Sequence, residues 1–403
     1  MEDNESEAQS VTEASLVAKI LQFAKLNLSS VNNDVQQLFF SRSLQNNDVK
    51  LLELNPTIEK QISENGGKLH LKGNATDNCV LCTAEHTFEV KDTEISNSLL
   101  LVPGVVLDLD KNNSVKDDKM LSLRGTHVES ICGSYLEPRL IQPKVNVLLG
   151  ILESSVYDGP EKENVDSVKL TLTDILSNTL ASDGEIEKVL FNLHAIELDG
   201  YIRLIHFDYL SRVIGSIADL IDENCWCFKS FDHGMAISIL SELYPRAVIK
   251  HVLESHGSAV AATEDGSTDS WCLDEDKVCR YYAEMLLKPT QKFNLTEFLD
   301  AWKDSVPEGM ITSLSQLDGM AFADRTSEPA VMRYFPVEQL SEDVKKRFEE
   351  LFGVKKSWTL QEITPYVKPL CVGKVTVSVL VMKNARSFNK AGTKYFTSKY
   401  IRN

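Results

Sequence analysis

The chain has 403 residues, of which 43% are hydrophobic and 25% are charged, as is typical of soluble globular proteins. No apolar run approaches the roughly 20 residues of a membrane span, the first ten residues do not resemble a targeting signal, and the eight cysteines are dispersed. These features exclude a membrane protein and a disulfide-stapled secreted domain, while the net charge of −17 argues against general coating of nucleic acid.

The N-terminal 140 residues are expected to comprise an acidic tail, a short helix and a β-rich region. Residues 1–10 have the composition of a disordered segment, and apolar residues recur at helical spacing within 15–26. Between residues 39 and 138, short apolar runs alternate with period two, which predicts a small sandwich or barrel. Because these strands are short and irregular, we expect the region to borrow strands or apolar surface from a partner.

A mostly helical region follows, and three of its segments resemble one another. They begin at Thr171, Asn294 and Thr359, where a capping residue is followed by Leu and, three positions after the cap, by an acid. Each segment continues with a turn, a second helix and a hairpin, an order that predicts a winged helix. Further helices are expected before the middle copy, at 232–244, 246–255 and 274–287.

The predicted fold class is therefore α+β, with a small β-barrel-like N-terminal domain followed by three tandem winged-helix domains. In the last copy, the apolar run at 375–383 favours a helix, although its β-branched residues also suit a strand. The predicted boundaries are an acidic tail and short helix at 1–35, a β-rich partner-binding domain at 36–140, a helix and linker at 141–167, and winged helices at 168–225, 226–338 and 339–403.

Charge singles out the last copy. Residues 1–362 contain 34 basic and 59 acidic residues, whereas eight basic residues and no acid follow Glu362. A basic island at the end of an acidic chain indicates a phosphate-binding surface, although a solvated lysine-rich terminus has the same composition. The candidate DNA-binding residues are Lys374, Lys383, Arg386, Lys390, Lys394, Lys399 and Arg402.

The spacing within this tail suggests how it would contact DNA. Lys383 and Arg386 lie one helical turn apart and are expected to share a face, while the later lysines fall in the hairpin and beyond. Aromatic residues between those lysines are candidates for stacking on unpaired bases, namely Tyr395, Phe396 and Tyr400. Contacts of this kind are mainly to phosphates, so little sequence specificity is expected. The second helix of the first copy is acidic instead, which favours a protein-binding or spacer role.

The remaining motifs favour structural roles, and no cofactor or metal is predicted. Cys79 and Cys82 have zinc-like spacing but no second pair, so buried thiols are favoured over a metal site. The acidic run 274–276 suits the start of a helix better than a metal site. No phosphate-binding GxxxxGK[ST] loop and no recognisable catalytic arrangement occurs, so the chain is not expected to be an enzyme.

Several segments resemble the sister chromatid cohesion proteins of the Dcc type. The most specific is the VPEGM stretch at 306–310, and the supporting ones are NSLLLVPG at 97–104, YDGP at 157–160 and the aromatic positions around 347–358. The resemblance implies a nuclear, non-catalytic subunit of an alternative clamp loader of the replication factor C type. Its β-region would join the large and small chromosome-transmission-fidelity subunits, and ATP hydrolysis would belong to other subunits.

The resemblance also implies that the winged helices bind single- and double-stranded DNA and that the assembly contacts DNA polymerase epsilon and acts on the sliding clamp. By position, the DNA-binding role falls on Lys383, Arg386, Lys390, Lys394, Lys399 and Arg402. The alternative is a winged-helix scaffold in a nuclear multi-subunit complex that does not itself bind DNA. No membrane partner is expected.

Overall fold

The computed structural model describes most of the chain from residue 34 onwards. The described residues are 22–23, 25, 34–41, 49–64, 66–73, 79–105, 122–143, 146–163, 168–260, 270–325, 327–373, 375–390 and 392–399. The predictions for the acidic tail, for most of the helix at 15–26 and for part of the linker before residue 168 fall outside these residues.

The described residues form nineteen strands and twelve α-helices, an α+β composition as predicted. The strands are β1 (Asp34–Phe40), β2 (Leu51–Leu52), β3 (His70–Lys72), β4 (Val80–Cys82), β5 (Thr87–Leu101), β6 (Ser122–Val128), β7 (Ser130–Leu140), β8 (Val156–Tyr157), β9 (Ala195–Leu198), β10 (Tyr201–Ile205), β11 (Phe231–Asp232), β12 (Gly257–Ala259), β13 (Ser270–Leu273), β14 (Lys292–Asn294), β15 (Ala321–Asp324), β16 (Val331–Tyr334), β17 (Trp358–Thr359), β18 (Ala385–Lys390) and β19 (Thr393–Ser398). The helices are α1 (Pro56–Glu64), α2 (Asn146–Leu152), α3 (Leu172–Asn178), α4 (Asp183–Asn192), α5 (Phe207–Glu223), α6 (His233–Leu240), α7 (Arg246–His256), α8 (Glu275–Thr290), α9 (Leu295–Ser305), α10 (Val344–Val354), α11 (Leu360–Val367) and α12 (Val377–Asn384).

The chain divides into two compact bodies, residues 1–55 with 91–138 and residues 56–90 with 139–403. In the first, β1 and β6 pair in parallel as a two-stranded sheet, and β2 pairs in parallel with β7. Phe39 and Phe40 of β1 are 40% and 55% exposed. The predicted β-rich region is thus present in the described residues, since in the second body β4 pairs antiparallel with β3 and with the start of β5. Helix α1, within the stretch predicted as strands, was not anticipated.

The second body contains four segments with a similar order of elements: a short strand or bridge, a helix, a second helix or 3-10 turn, and a hairpin. They are repeat 1 (170–205), repeat 2 (231–273), repeat 3 (292–334) and repeat 4 (358–398). In repeats 2 to 4 the strand after the hairpin turn lies between the other two, in the orders β11-β13-β12, β14-β16-β15 and β17-β19-β18. In repeat 1, β10 lies between β8 and β9, and Leu170 before α3 bridges to Ile202.

Repeat 2 was not predicted from the sequence, because its helix cap differs from those of the other three repeats. Asp232 caps α6 by accepting a hydrogen bond from the Met235 amide, but no acid stands three positions after it. In repeat 3, the expected second helix is a single 3-10 turn at Leu314–Leu317. The three helices expected around repeat 2 are present as α6, α7 and α8.

The start of helix α4 of repeat 1 packs against another part of the chain. The loop between β4 and β5 contacts its start, where the Gly184 amide donates to the Ala84 carbonyl at 2.9 Å. The Thr87 hydroxyl donates to Glu185 at 2.5 Å, and Lys188 of the same helix pairs with Glu85. The start of this helix therefore packs against the chain's own β4–β5 loop, and the protein-binding or spacer role of this copy stays a prediction.

Three histidines pack where repeat 1 meets repeat 2; His251 and His256 are buried and His194 is partly buried. His194 Nδ1 lies 3.1 Å from His251 Nε2, and the His194 ring stacks on His256 with a centroid distance of 5.6 Å. Burial, together with the other histidines, lowers the pKa of His194 to about 3. Burial also lowers the pKa values of His251 and His256 to about 4. All three are therefore neutral in the folded protein at neutral pH.

Replacing His194 with Asn is expected to flatten the acid dependence of stability. The unfolded chain binds protons on these histidines below about pH 6.5, whereas the folded chain does not until about pH 4, so stability falls as pH falls between those values. Each histidine contributes up to about 1.4 kcal/mol per pH unit in that window. Urea unfolding at several pH values checks the slope difference. Asn suits the left-handed backbone of His194, at φ 57°, so an unchanged slope would contradict the assignment.

Candidate nucleic-acid interface

Repeat 4 is built around a cap and an aromatic core. The Thr359 hydroxyl accepts a hydrogen bond from the Glu362 amide, and the Glu362 carboxylate accepts one from the Thr359 amide, which is the predicted capping box. Trp358, Ile363 and Phe396 are buried beneath α11 and the hairpin. This core holds the β18–β19 hairpin in place.

The Glu362 carboxylate also binds Lys355 at 2.7 Å. Burial acts to raise the pKa of this carboxyl, but the bonds from Lys355 and Thr359 outweigh it, so the pKa lies below its ordinary value. The last acid of the chain is therefore engaged within the repeat, where it offsets the charge of Lys355.

Replacing Thr359 with Ala is expected to lower the free energy of unfolding by about 1 kcal/mol, because the first turn of α11 loses its cap. Thr376 provides a matched control: it occupies the same position before α12, but its side chain makes no capping hydrogen bond. Thermal melting of both variants checks the difference. Equal losses for Thr359→Ala and Thr376→Ala would contradict the capping role.

Helix α12 presents a mixed surface. Residues 377–384 are helical rather than extended, because Leu380 and Val381 pack into the core of repeat 4. Val379 and Met382 face outward and are more than half exposed. Lys383 is also exposed, and among the described residues of this helix it is the one cation. The helix therefore contributes more apolar than charged surface.

The hairpin carries most of the exposed positive charge. Side chains alternate between the two faces of a strand, so Arg386, Phe388 and Lys390 of β18 share one face. Tyr395 pairs with Phe388 across the hairpin and stacks on its ring at a centroid distance of 5.7 Å. Phe388 is 41% exposed, and Arg386 and Lys390 are exposed on either side of it. We call these four residues the hairpin face.

The structure places the other described residues that were predicted to contact DNA outside the hairpin face. Lys383 and Arg386 do not share a helical face, because α12 ends between them at Asn384. Lys394 lies on the opposite face of the hairpin, over the Phe396 ring. The Lys399 ammonium donates to the Lys383 carbonyl. Phe396 is buried, so its ring is not available to stack on a base.

Lys374, Tyr400 and Arg402 lie outside the described residues. Phe388 was missed from the sequence, although its position midway between Arg386 and Lys390 at period two was a readable signal. The structure thus brings two of the seven predicted cations onto one exposed hairpin face with two aromatic rings.

The other motifs have structural roles where they are described. Cys82 is buried, and burial raises the pKa of its thiol. Cys79 is exposed because it lies just before β4 begins, so the prediction of a buried thiol is wrong for this residue. Asp274 caps α8 by accepting from the Asp276 and Lys277 amides, as expected. In the VPEGM segment, the Met310 amide donates to the Pro307 carbonyl, which closes a turn after α9. Across the described ranges, no group of three or more His, Cys, Asp or Glu residues is arranged to hold a metal ion.

Within the described residues, no helix combines the length and the apolar content that crossing a bilayer requires.

Taken together, these features define an α+β protein in which a β-rich region is followed along the chain by tandem repeats of helices and a hairpin. The family model described as "Sister chromatid cohesion protein Dcc1" matches residues 49–367. The chain belongs to this family of sister chromatid cohesion proteins.

Cohesion proteins from other organisms are similar to this chain along most of its length. The sister chromatid cohesion protein DCC1 of Xenopus tropicalis is 37% identical over 385 residues, covering 95% of this chain and 97% of the relative. The human protein of that name is 34% identical over 385 residues, covering 94% and 96%. The Saccharomyces cerevisiae protein is 21% identical over 362 residues, covering 84% and 93%. These names describe cohesion proteins and no catalysed reaction.

Proposed function

We propose that the four repeats are winged helices and that repeat 4 binds the phosphate backbone of DNA. The observation that carries the proposal is the hairpin face, where Arg386 and Lys390 lie exposed on the hairpin of an acid-free terminal segment. In a winged helix, this hairpin is the wing. A cationic wing contacts phosphates rather than base edges, so binding is expected to depend strongly on salt and weakly on sequence.

The wider role is that of a non-catalytic subunit of an alternative clamp loader in the nucleus. Membership of the Dcc1 family supports a role in sister chromatid cohesion. The exposed apolar side chains of β1 in a two-stranded sheet fit strands supplied by the large and small chromosome-transmission-fidelity subunits. In this proposal the assembly acts on the sliding clamp and contacts DNA polymerase epsilon.

A second candidate, a winged-helix scaffold that does not bind DNA, is favoured by a separate observation. The start of helix α4 of repeat 1 packs against the chain's own β4–β5 loop, and the outer surface of α12 in repeat 4 exposes Val379 and Met382. Both are helices that follow the turn in their repeats, the position from which helix-turn-helix proteins read DNA. If these helices contact other proteins, they would hold the multi-subunit complex together and would contribute nothing to its affinity for DNA.

The two candidate functions predict a different salt dependence of DNA affinity. The full chain is mixed with a labelled duplex, and the dissociation constant is measured between about 50 and 200 mM salt. If about five phosphates are engaged, log affinity falls with log salt at a slope of roughly −4 to −5. A slope near zero, with co-expressed clamp-loader subunits still co-purifying, would support the scaffold.

A further inference from the structure

A cavity of about 690 Å³ lies between repeat 3 and repeat 4. Its wall on the repeat 3 side includes Phe322 and Met332 from the three-stranded sheet. On the repeat 4 side, the stacked rings of Phe388 and Tyr395 line it. Phe388, Lys390 and Tyr395 of the hairpin face therefore also form one wall of a cavity between the repeats, and its volume lies in the range of sites that hold small organic groups.

The charge of the cavity favours an anionic occupant. Three cations line it, Arg325, Lys355 and Lys390, of which Arg325 and Lys390 are exposed. Lys355 is offset by Glu362. The other acid in the lining, Asp318, is exposed. Three cations against two acids leave the lining with a net positive charge of one, and each repeat contributes one exposed cation.

The wall of the cavity also contains a buried polar group without a hydrogen-bond partner among the described residues. Tyr366 lines the cavity and is 1% exposed, and no hydrogen-bond partner for its hydroxyl is found in the part of the chain that the structure describes. Buried hydroxyls are normally satisfied, so an orphaned one beside a cavity points to a ligand or an ordered water. Stacking rings, exposed cations and a polar group near the interior together resemble the features by which proteins hold unpaired bases.

We propose that this cavity binds an unpaired nucleotide of single-stranded DNA. Its base stacks on Phe388, and its flanking phosphates contact Arg325 and Lys390. The site rests on the proposed DNA binding by repeat 4. It adds a preference for single-stranded over duplex DNA, which the cationic hairpin alone would not provide. In a duplex the faces of the bases are stacked on one another, so a duplex contacts the cations but not the ring.

The test compares a labelled oligothymidylate with a duplex, using the full chain and fluorescence anisotropy. Phe388→Ala is expected to weaken oligothymidylate binding about tenfold and to leave duplex binding within about twofold. Phe388→Tyr keeps a stacking ring and is expected to retain single-strand affinity. Leu243→Ala removes a side chain of repeat 2 that is 70% exposed, and it is the matched control for loss of exposed apolar surface.

Arg325→Ala provides a second variant that leaves the hairpin untouched. It is expected to lower the salt slope of oligothymidylate binding by about one. If Phe388→Ala and Arg325→Ala leave single-strand binding unchanged, or if Phe388→Ala weakens both ligands equally, the cavity is not a nucleotide site, although DNA binding by repeat 4 stands. That outcome would point to a peptide as the occupant. Absence of binding to both ligands by the unmodified chain would overturn the proposed function together with the site.

Discussion

Replacing Lys383, Arg386 and Lys390 together with alanine is expected to lower duplex affinity by roughly 500-fold at about 0.1 M salt. Each phosphate contact contributes about 0.9 to the salt slope, which amounts to roughly eightfold in affinity at that concentration. The slope of log affinity against log salt should fall in magnitude by about three. All three residues are exposed, so the substitutions are not expected to disturb the core of repeat 4. Fluorescence anisotropy over a salt series measures both quantities.

A control with the same charge change separates local from overall electrostatics. Lys60, Lys250 and Lys345 are exposed lysines of α1, α7 and α10. Their replacement with alanine also removes three charges from a chain whose net charge is already −17. If this variant loses as much affinity as the variant lacking Lys383, Arg386 and Lys390, attraction depends on net charge rather than on these three positions, and the assignment of the interface is wrong.

Replacing Trp302 with Ala is expected to lower the free energy of unfolding by about 3 to 5 kcal/mol, the usual cost of emptying a large aromatic site. Trp302 is fully buried in the main core, stacks near Phe298 at a centroid distance of 5.5 Å, and donates its indole N–H to the Cys279 carbonyl at 2.7 Å. The side chain therefore ties α9 to α8. Urea unfolding followed by circular dichroism measures the change.

Trp302→Phe is the matched variant, because it keeps an aromatic ring and loses the indole hydrogen bond. We expect it to cost less than the alanine variant, on the order of 1 to 3 kcal/mol. A loss below about 1 kcal/mol for Trp302→Ala would show that the site collapses or fills with water, and would contradict a close-packed core between these helices.

The repeats could be predicted from sequence where local signals agree with the fold. The capping boxes at Thr171 and Thr359 and the cap at Asn294 are local patterns, and helices begin at all three. Repeat 2 could not be found in this way, because its cap at Asp232 lacks the following acid. Helix α1 was missed because the surrounding alternation with period two dominated the interpretation of the β-rich region.

The candidate site was predictable in charge but not in arrangement. The absence of acids after Glu362 is a property of composition and locates the basic segment. Which cations share a face depends on where α12 ends and on the register of β18 with β19, and a shift of one residue reverses the faces. The cavity between repeats 3 and 4 depends on tertiary packing, since Arg325 and Lys390 lie far apart in sequence.

Hydrogen–deuterium exchange of the full chain, with and without a short DNA duplex, tests the central claim most directly. Binding by the hairpin face is expected to slow amide exchange in Ala385–Lys390 and Thr393–Ser398, and to leave exchange in helix Asp183–Asn192 of repeat 1 unchanged. Slowed exchange confined to other repeats, with the hairpin of repeat 4 unaffected at saturating DNA, would contradict the account.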